Sequence, residues 1–103
     1  MAWHPVAETA DFAQSPVIGR DCAGRRLALY RLAGRYYATA DTCTHAGARL
    51  SEGEVVEGFI ECPAHYGLFE IATGTAQGAP VCRDLATYPV RVAGSRIEVE
   101  IPD

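Results

Sequence analysis

Residues Arg96-Ile97-Glu98-Val99-Glu100-Ile101 alternate charged and apolar side chains without a break. That pattern predicts a strand with one face in a core and the other in water. Val90-Arg91-Val92 repeats the alternation, and Ala93-Gly94-Ser95 supplies the turn of a hairpin. A second hairpin runs from Leu27–Leu32 through Ala33-Gly34 into Tyr36–Ala40, and a third folds Val55-Val56 onto Phe59–Glu61 about Glu57-Gly58. Gly67–Ile71 is expected to add a strand, with Val17-Ile18 and the Trp3 segment as edges; helical periodicity is faint, around Ala7–Phe12. Short strands joined by Gly-bearing turns must pack in two layers or close on themselves. The fold class is therefore all-β, an antiparallel β-sandwich or small barrel.

The 103 residues are 49% hydrophobic and 21% charged, which predicts one domain over residues 1–103, and no repeat, linker or low-complexity tract divides them. Ten Gly and six Pro fit a turn-rich chain without reaching the richness of a disordered one. A net charge of -4 argues against a nucleic-acid partner. Residues 1–49 carry six Arg against four acids and residues 50–103 three Arg against nine, so two differently charged faces are one reading and simple solvation of a surface the other. Met1-Ala2-Trp3-His4-Pro5 has no basic stretch leading into an apolar run, so the expectation is a cytoplasmic protein with no membrane span. In a reducing cytosol, four Cys are expected to be metal ligands or inert core residues rather than disulfides.

Two of the Cys have a His close by. Cys43-Thr44-His45 is followed, after sixteen residues, by Cys62-Pro63-Ala64-His65. Each short loop offers a thiolate and an imidazole, and the hairpin between them returns the chain toward its starting point and brings the loops side by side. A zinc finger would pair its Cys in one knuckle and set its His on a helix, whereas here the types are interleaved and no helix follows. A plant-type ferredoxin would need C-x4-C-x2-C, which is absent.

C-x-H followed by C-x2-H is the Rieske pattern, and the chain resembles the small Rieske ferredoxins that serve bacterial aromatic-ring-hydroxylating dioxygenases. The resemblance covers nearly the whole length. Its specific part runs from Asp41 to Phe69 and continues into Gly78-Ala79-Pro80, which resembles the family's proline loop. It implies a Rieske-type fold whose cluster-binding subdomain of two hairpin loops spans about residues 41–80. Cys43 and Cys62 would hold the inner iron, and His45 and His65 the outer iron, of one 2Fe-2S cluster. Thiolates stabilise ferric iron and carry charge best kept inside, while neutral imidazoles can face water.

By the same resemblance the function is that of a one-electron carrier, taking electrons from an NADH-dependent, flavin-dependent ferredoxin reductase and delivering them to a terminal oxygenase. The carrier is not itself an enzyme: a terminal oxygenase adds a 2-His-1-carboxylate iron site, for which 103 residues with three His leave no room. A monomer is expected, because a carrier must leave each partner in turn. Two alternatives of the same class are the ferredoxin of a diiron monooxygenase and the small subunit of a nitrite-type reductase. From another class, the four ligands could hold structural zinc in an interaction module.

Cys22 and Cys82 read as structural thiols and His4 as an exposed residue. Thr42, Thr44 and Gly47 surround the first loop, where hydroxyls and backbone N–H groups can approach sulfur, and Pro63 and Pro80 stiffen the loops. Of Tyr66 and Phe69, one is expected to cover the cluster and the other to pack into the core. High-potential Rieske proteins join their ligand loops by a disulfide where this sequence has Ala48 and Ala64. They also place hydroxyl donors where it has Gly67 and Phe69. The expected potential is therefore at the low end of the Rieske range, about -150 mV.

Overall fold

The computed structural model describes residues 2–44, 47–64, 66–78 and 83–102. Its strands are β1 (Ala2–Glu8), β2 (Val17–Cys22), β3 (Arg25–Leu32), β4 (Arg35–Ala40), β5 (Glu54–Val56), β6 (Phe59–Glu61), β7 (Leu68–Glu70), β8 (Thr87–Tyr88), β9 (Val90–Ala93) and β10 (Arg96–Ile101). They pair in three antiparallel sheets, ordered β1-β10-β9, β2-β3-β4-β8 and β5-β6-β7.

The all-β expectation holds, and β3 explains why the layers number three. Its centre, Leu27-Ala28-Leu29-Tyr30, is buried at four successive residues, so both faces of the strand are covered. Leu27 and Leu29 join Phe12, Ala38, Ile97, Val99 and Ile101 in one apolar cluster. Ala28 and Tyr30 point the other way, into a second cluster with Leu50, Ile60, Phe69, Ile71 and the two thiols Cys43 and Cys62. The four-stranded sheet thus has the β1-β10-β9 sheet on one side and, on the other, the β5-β6-β7 sheet with the loops that carry Cys43 and Cys62. Tyr30 carries its hydroxyl into the interior, where it donates to Thr39 Oγ1 at 2.8 Å, since the Thr39 hydroxyl hydrogen is directed at the Ala40 carbonyl.

The hairpins lie where the turn residues place them. Ala33 and Gly34 take φ of 50° and 79° between the paired Leu32 and Arg35, and Glu57 and Gly58 take 49° and 87° between Val56 and Phe59. Ala23-Gly24 makes the same two-residue turn between β2 and β3. Local differences from the sequence reading have local causes. Ala93 stays in β9, paired with Arg96, which leaves a shorter turn at Gly94-Ser95. The faint helical signal resolves into the end of β1 and a single 3-10 turn, Thr9–Phe12, whose Phe12 is buried. His4 is not freely exposed; it sits half-buried in β1 opposite Val99. β7 is shorter than expected, although both flanking residues still bond across the hairpin: the Gly67 carbonyl accepts from the Cys62 N–H at 2.8 Å, and the Ile71 N–H donates to the Gly58 carbonyl at 3.0 Å.

Candidate metal centre

The first Cys-His loop leaves β4 at Asp41 and is closed by short-range bonds. Thr42 bridges to Arg49, Cys43 N–H donates to the Ala48 carbonyl at 2.8 Å, and Gly47 N–H donates back to the Cys43 carbonyl at 3.0 Å. Gly47 does this at φ 72°, where glycine has no side-chain penalty. Leu50 N–H then returns to the Asp41 carbonyl at 2.6 Å, so the loop begins and ends at one point. The second loop is the tip of the β6–β7 hairpin. Above the Glu61–Leu68 pair, Cys62 N–H donates to the Gly67 carbonyl at 2.8 Å, and Tyr66 turns the chain at φ 58°.

These closures bring Cys43 and Cys62 together. Both are buried and neither is in a disulfide. They share one apolar cluster with Leu50, Ile60 and Phe69. Burial pushes the Cys62 thiol above its ordinary 9.0, with the Cys43 side chain adding to the rise, while the Ala64 N–H opposes it. Two uncrosslinked thiols in one apolar cluster form a soft donor pair suited to iron or zinc, so these two residues fit the metal cluster that the resemblance implies. His45 and His65 lie outside the described residues, as do Ala79, Pro80 and Cys82. Cys22 is buried in the opposite apolar cluster with Leu27 and Ile97, as a structural thiol should be, and burial raises its pKa.

The roles of the flanking residues divide. Phe69 is fully buried in the cluster that holds both thiols, whereas Tyr66 is 71% exposed. Thr44 does not reach sulfur: its hydroxyl donates to the Arg83 carbonyl at 2.7 Å. Thr42 is exposed at the bridge, and Pro63 stands exposed at the second loop. Part of the acidic half of the chain gathers here. Glu52, Glu54 and Glu61 line an open cleft with Pro63 and Tyr66, and none of the three is ion-paired among the described residues.

Asp41 is the site residue that sequence reading passed over. Its buried carboxylate accepts from Arg26 Nε at 2.9 Å and from the Ser51 N–H and hydroxyl at 2.6 and 2.9 Å. One available signal was a lone acid ending the strand Tyr36–Ala40, with basic residues on the strand paired to it.

A family model described as the Rieske [2Fe-2S] domain matches residues 2–89. The ferredoxin component of the naphthalene 1,2-dioxygenase system of Pseudomonas putida is 38% identical over 99 residues, covering 96% of this chain and 95% of that protein. The anthranilate 1,2-dioxygenase ferredoxin subunit of Burkholderia cepacia is 35% identical, with 96% and 92% covered. Among solved structures, a chain of the complex of reduced oxygenase and oxidized ferredoxin in carbazole 1,9a-dioxygenase superposes with a TM-score of 0.86 at 36% identity, over 94% of this chain and 91% of that one.

Proposed function

This chain belongs to the Rieske [2Fe-2S] domain family, and from that premise we propose that it is the electron-transfer component of a multicomponent aromatic-ring-hydroxylating dioxygenase. It takes electrons singly from a flavin-dependent, NADH-oxidising ferredoxin reductase and hands them to a terminal oxygenase, which performs the ring oxidation. The carrier is not an enzyme. The ferredoxin of carbazole 1,9a-dioxygenase is found in complex with its oxygenase, which supports an oxygenase as the partner here.

One observation carries the reading: two loops set the buried thiols of Cys43 and Cys62 side by side, and each loop continues into a His. Cys43, His45, Cys62 and His65 would hold one 2Fe-2S cluster, the thiolates on its buried side. When bound, the cluster supplies reversible storage of one electron. The chain's own part is to position and to shield. Leu50, Ile60 and Phe69 keep water from the thiol side, and the Ala64 backbone near Cys62 favours negative charge on that sulfur. Asp41 anchors the base of the first loop to β3 and to Ser51.

Residues 1–103 form one domain, with about 41–80 as the cluster-binding part. The carrier acts as a cytoplasmic monomer without nucleic-acid or membrane partners. Among the described residues no helix is long and apolar enough to cross a membrane. The test is an iron and labile-sulfide assay with a visible spectrum. About two irons and two sulfides per chain in a red-brown protein support the carrier; a colourless protein with a single zinc overturns it in favour of a structural module. Reduction by a flavin reductase with NADH, followed by reoxidation on mixing with a dioxygenase oxygenase component, tests the two partners.

A further inference from the structure

The two Cys-His loops adjoin where Cys43 and Cys62 share one buried apolar cluster. Ala48 and Ala64 carry no sulfur that could join the loops covalently. A third segment fills that role. The Thr44 hydroxyl, on the first loop, donates to the Arg83 carbonyl at 2.7 Å, although the two residues lie 39 apart in sequence. The neighbouring Asp84 accepts the Ala76 N–H on Oδ1 at 2.9 Å. Ala76 in turn bridges to Phe69, and Gln77 N–H donates to the Leu68 carbonyl at 2.9 Å, which places this end of the segment on β7, immediately after the second loop.

Residues 83–85 are firmly anchored. Leu85 is buried in the same cluster as Cys43 and Cys62, and its N–H donates to the Gly74 carbonyl at 2.8 Å. Gly74, at φ 77°, lies so close to the Leu85 carbonyl that a Cβ there would collide with it.

We infer that Thr44 is a positioning residue whose hydroxyl, through the Arg83 carbonyl and the Asp84 carboxylate, braces the first Cys-His loop against β7 and the second loop and keeps the ligands in register. The inference rests on the ligand assignment proposed above. Its physical basis is that an iron ligand on a short loop is lost when the loop opens, and each hydrogen bond across the opening path slows that event.

The test compares Thr44→Val, Thr44→Ser, Asp84→Ala and the Thr44→Val/Asp84→Ala double variant. The readouts are the rate of visible bleaching under an iron chelator and the electron paramagnetic resonance spectrum of the reduced protein. Thr44→Val and Asp84→Ala are expected to lose the cluster roughly fivefold faster, the effect of one hydrogen bond. Thr44→Ser should behave as the parent. Because the two links act in series, the double variant should bleach no faster than the quicker single one. Thr44→Val should also shift the spectrum, which loss of global stability alone would not do. Parent-like bleaching and spectrum in Thr44→Val, Val-like behaviour in Thr44→Ser, or independent multiplying effects in the double variant would each overturn the brace. Should Thr44→Val not fold, Asp84→Ala, outside both loops, carries the comparison, and parent-like bleaching there overturns the brace. A parent that purifies without iron and sulfide defeats the ligand assignment as well, so the two failures are distinguishable.

Discussion

Arg26 Nε sits 2.9 Å from Asp41 Oδ2, and the Asp41 side chain is wholly buried while that of Arg26 remains 30% exposed. The pair spans two strands at the base of the first Cys-His loop. Asp41 also accepts both hydrogen bonds from Ser51, so one carboxylate holds β3, the end of β4 and the 3-10 turn Leu50–Glu52 together. Gly19 makes room for this cluster: a Cβ there would run into the Arg26 guanidinium and Ser51 Oγ. Asp41→Ala removes an acceptor of charge-assisted bonds and is expected to lower unfolding stability by about 2–3 kcal/mol. Asp41→Asn, which keeps an acceptor, should cost less. Denaturant unfolding of the two variants measures the difference.

Loss of any one proposed ligand should open the site to water. Cys43→Ser, His45→Ala, Cys62→Ser and His65→Ala are each expected to abolish the visible spectrum and the iron content, while Cys22→Ser and Cys82→Ser keep both. An intact cluster in a Cys43 or Cys62 variant would refute the assignment.

The midpoint potential is expected near the low end of the Rieske range, about -150 mV rather than +300 mV. Gly67 and Phe69 bring no hydroxyl to the sulfur side, and Phe69 is buried among the same residues as both thiols. Phe69→Tyr supplies a donor and should raise the midpoint in a redox titration near neutral pH. An unchanged value would place position 69 away from sulfur.

Glu98 on β10 is paired with Arg91 Nε at 2.6 Å and Arg96 Nε at 3.1 Å. The Arg91 bond, with the charges of both guanidiniums, holds its carboxyl below the ordinary 4.5, against the opposing effect of burial. A folded-state value below the unfolded one means that the contribution is complete above about pH 4.5 and disappears as pH falls through the lowered value. The difference in melting temperature between the parent and Glu98→Gln should therefore be largest near neutrality and shrink below pH 4.5. A constant difference down to pH 3 would contradict the pairing.

Ala33 occupies the left-handed region at φ 50° in a two-residue turn. Asparagine tolerates that conformation better than alanine, so Ala33→Asn is expected to stabilise the fold by about 0.5–1 kcal/mol. Gly34→Ala, at φ 79°, should destabilise it. Thermal unfolding of the pair reads both signs.

Much of this architecture is written locally. The alternation in Arg96–Ile101 and the Xaa-Gly turns are properties of a few adjacent residues, and the strands and hairpins they predict are the ones that form. The Cys-x-His and Cys-x2-His spacings are equally local, and they identify the two loops before any packing is known. What tertiary structure decided depends on residues distant in the chain. The four-residue apolar run Leu27–Tyr30 does not reveal that it will be covered on both faces, because a second covering layer comes from residues 50–71. Tyr66 and Phe69 are both aromatic and three positions apart; only the Phe69–Ile60 pairing turns one inward and leaves the other in solvent. Thr44 could have faced sulfur as well as anything else. Its hydroxyl found the Arg83 carbonyl because the core burial of Leu85 sets that backbone beside the first loop, and no pattern within either segment encodes their meeting.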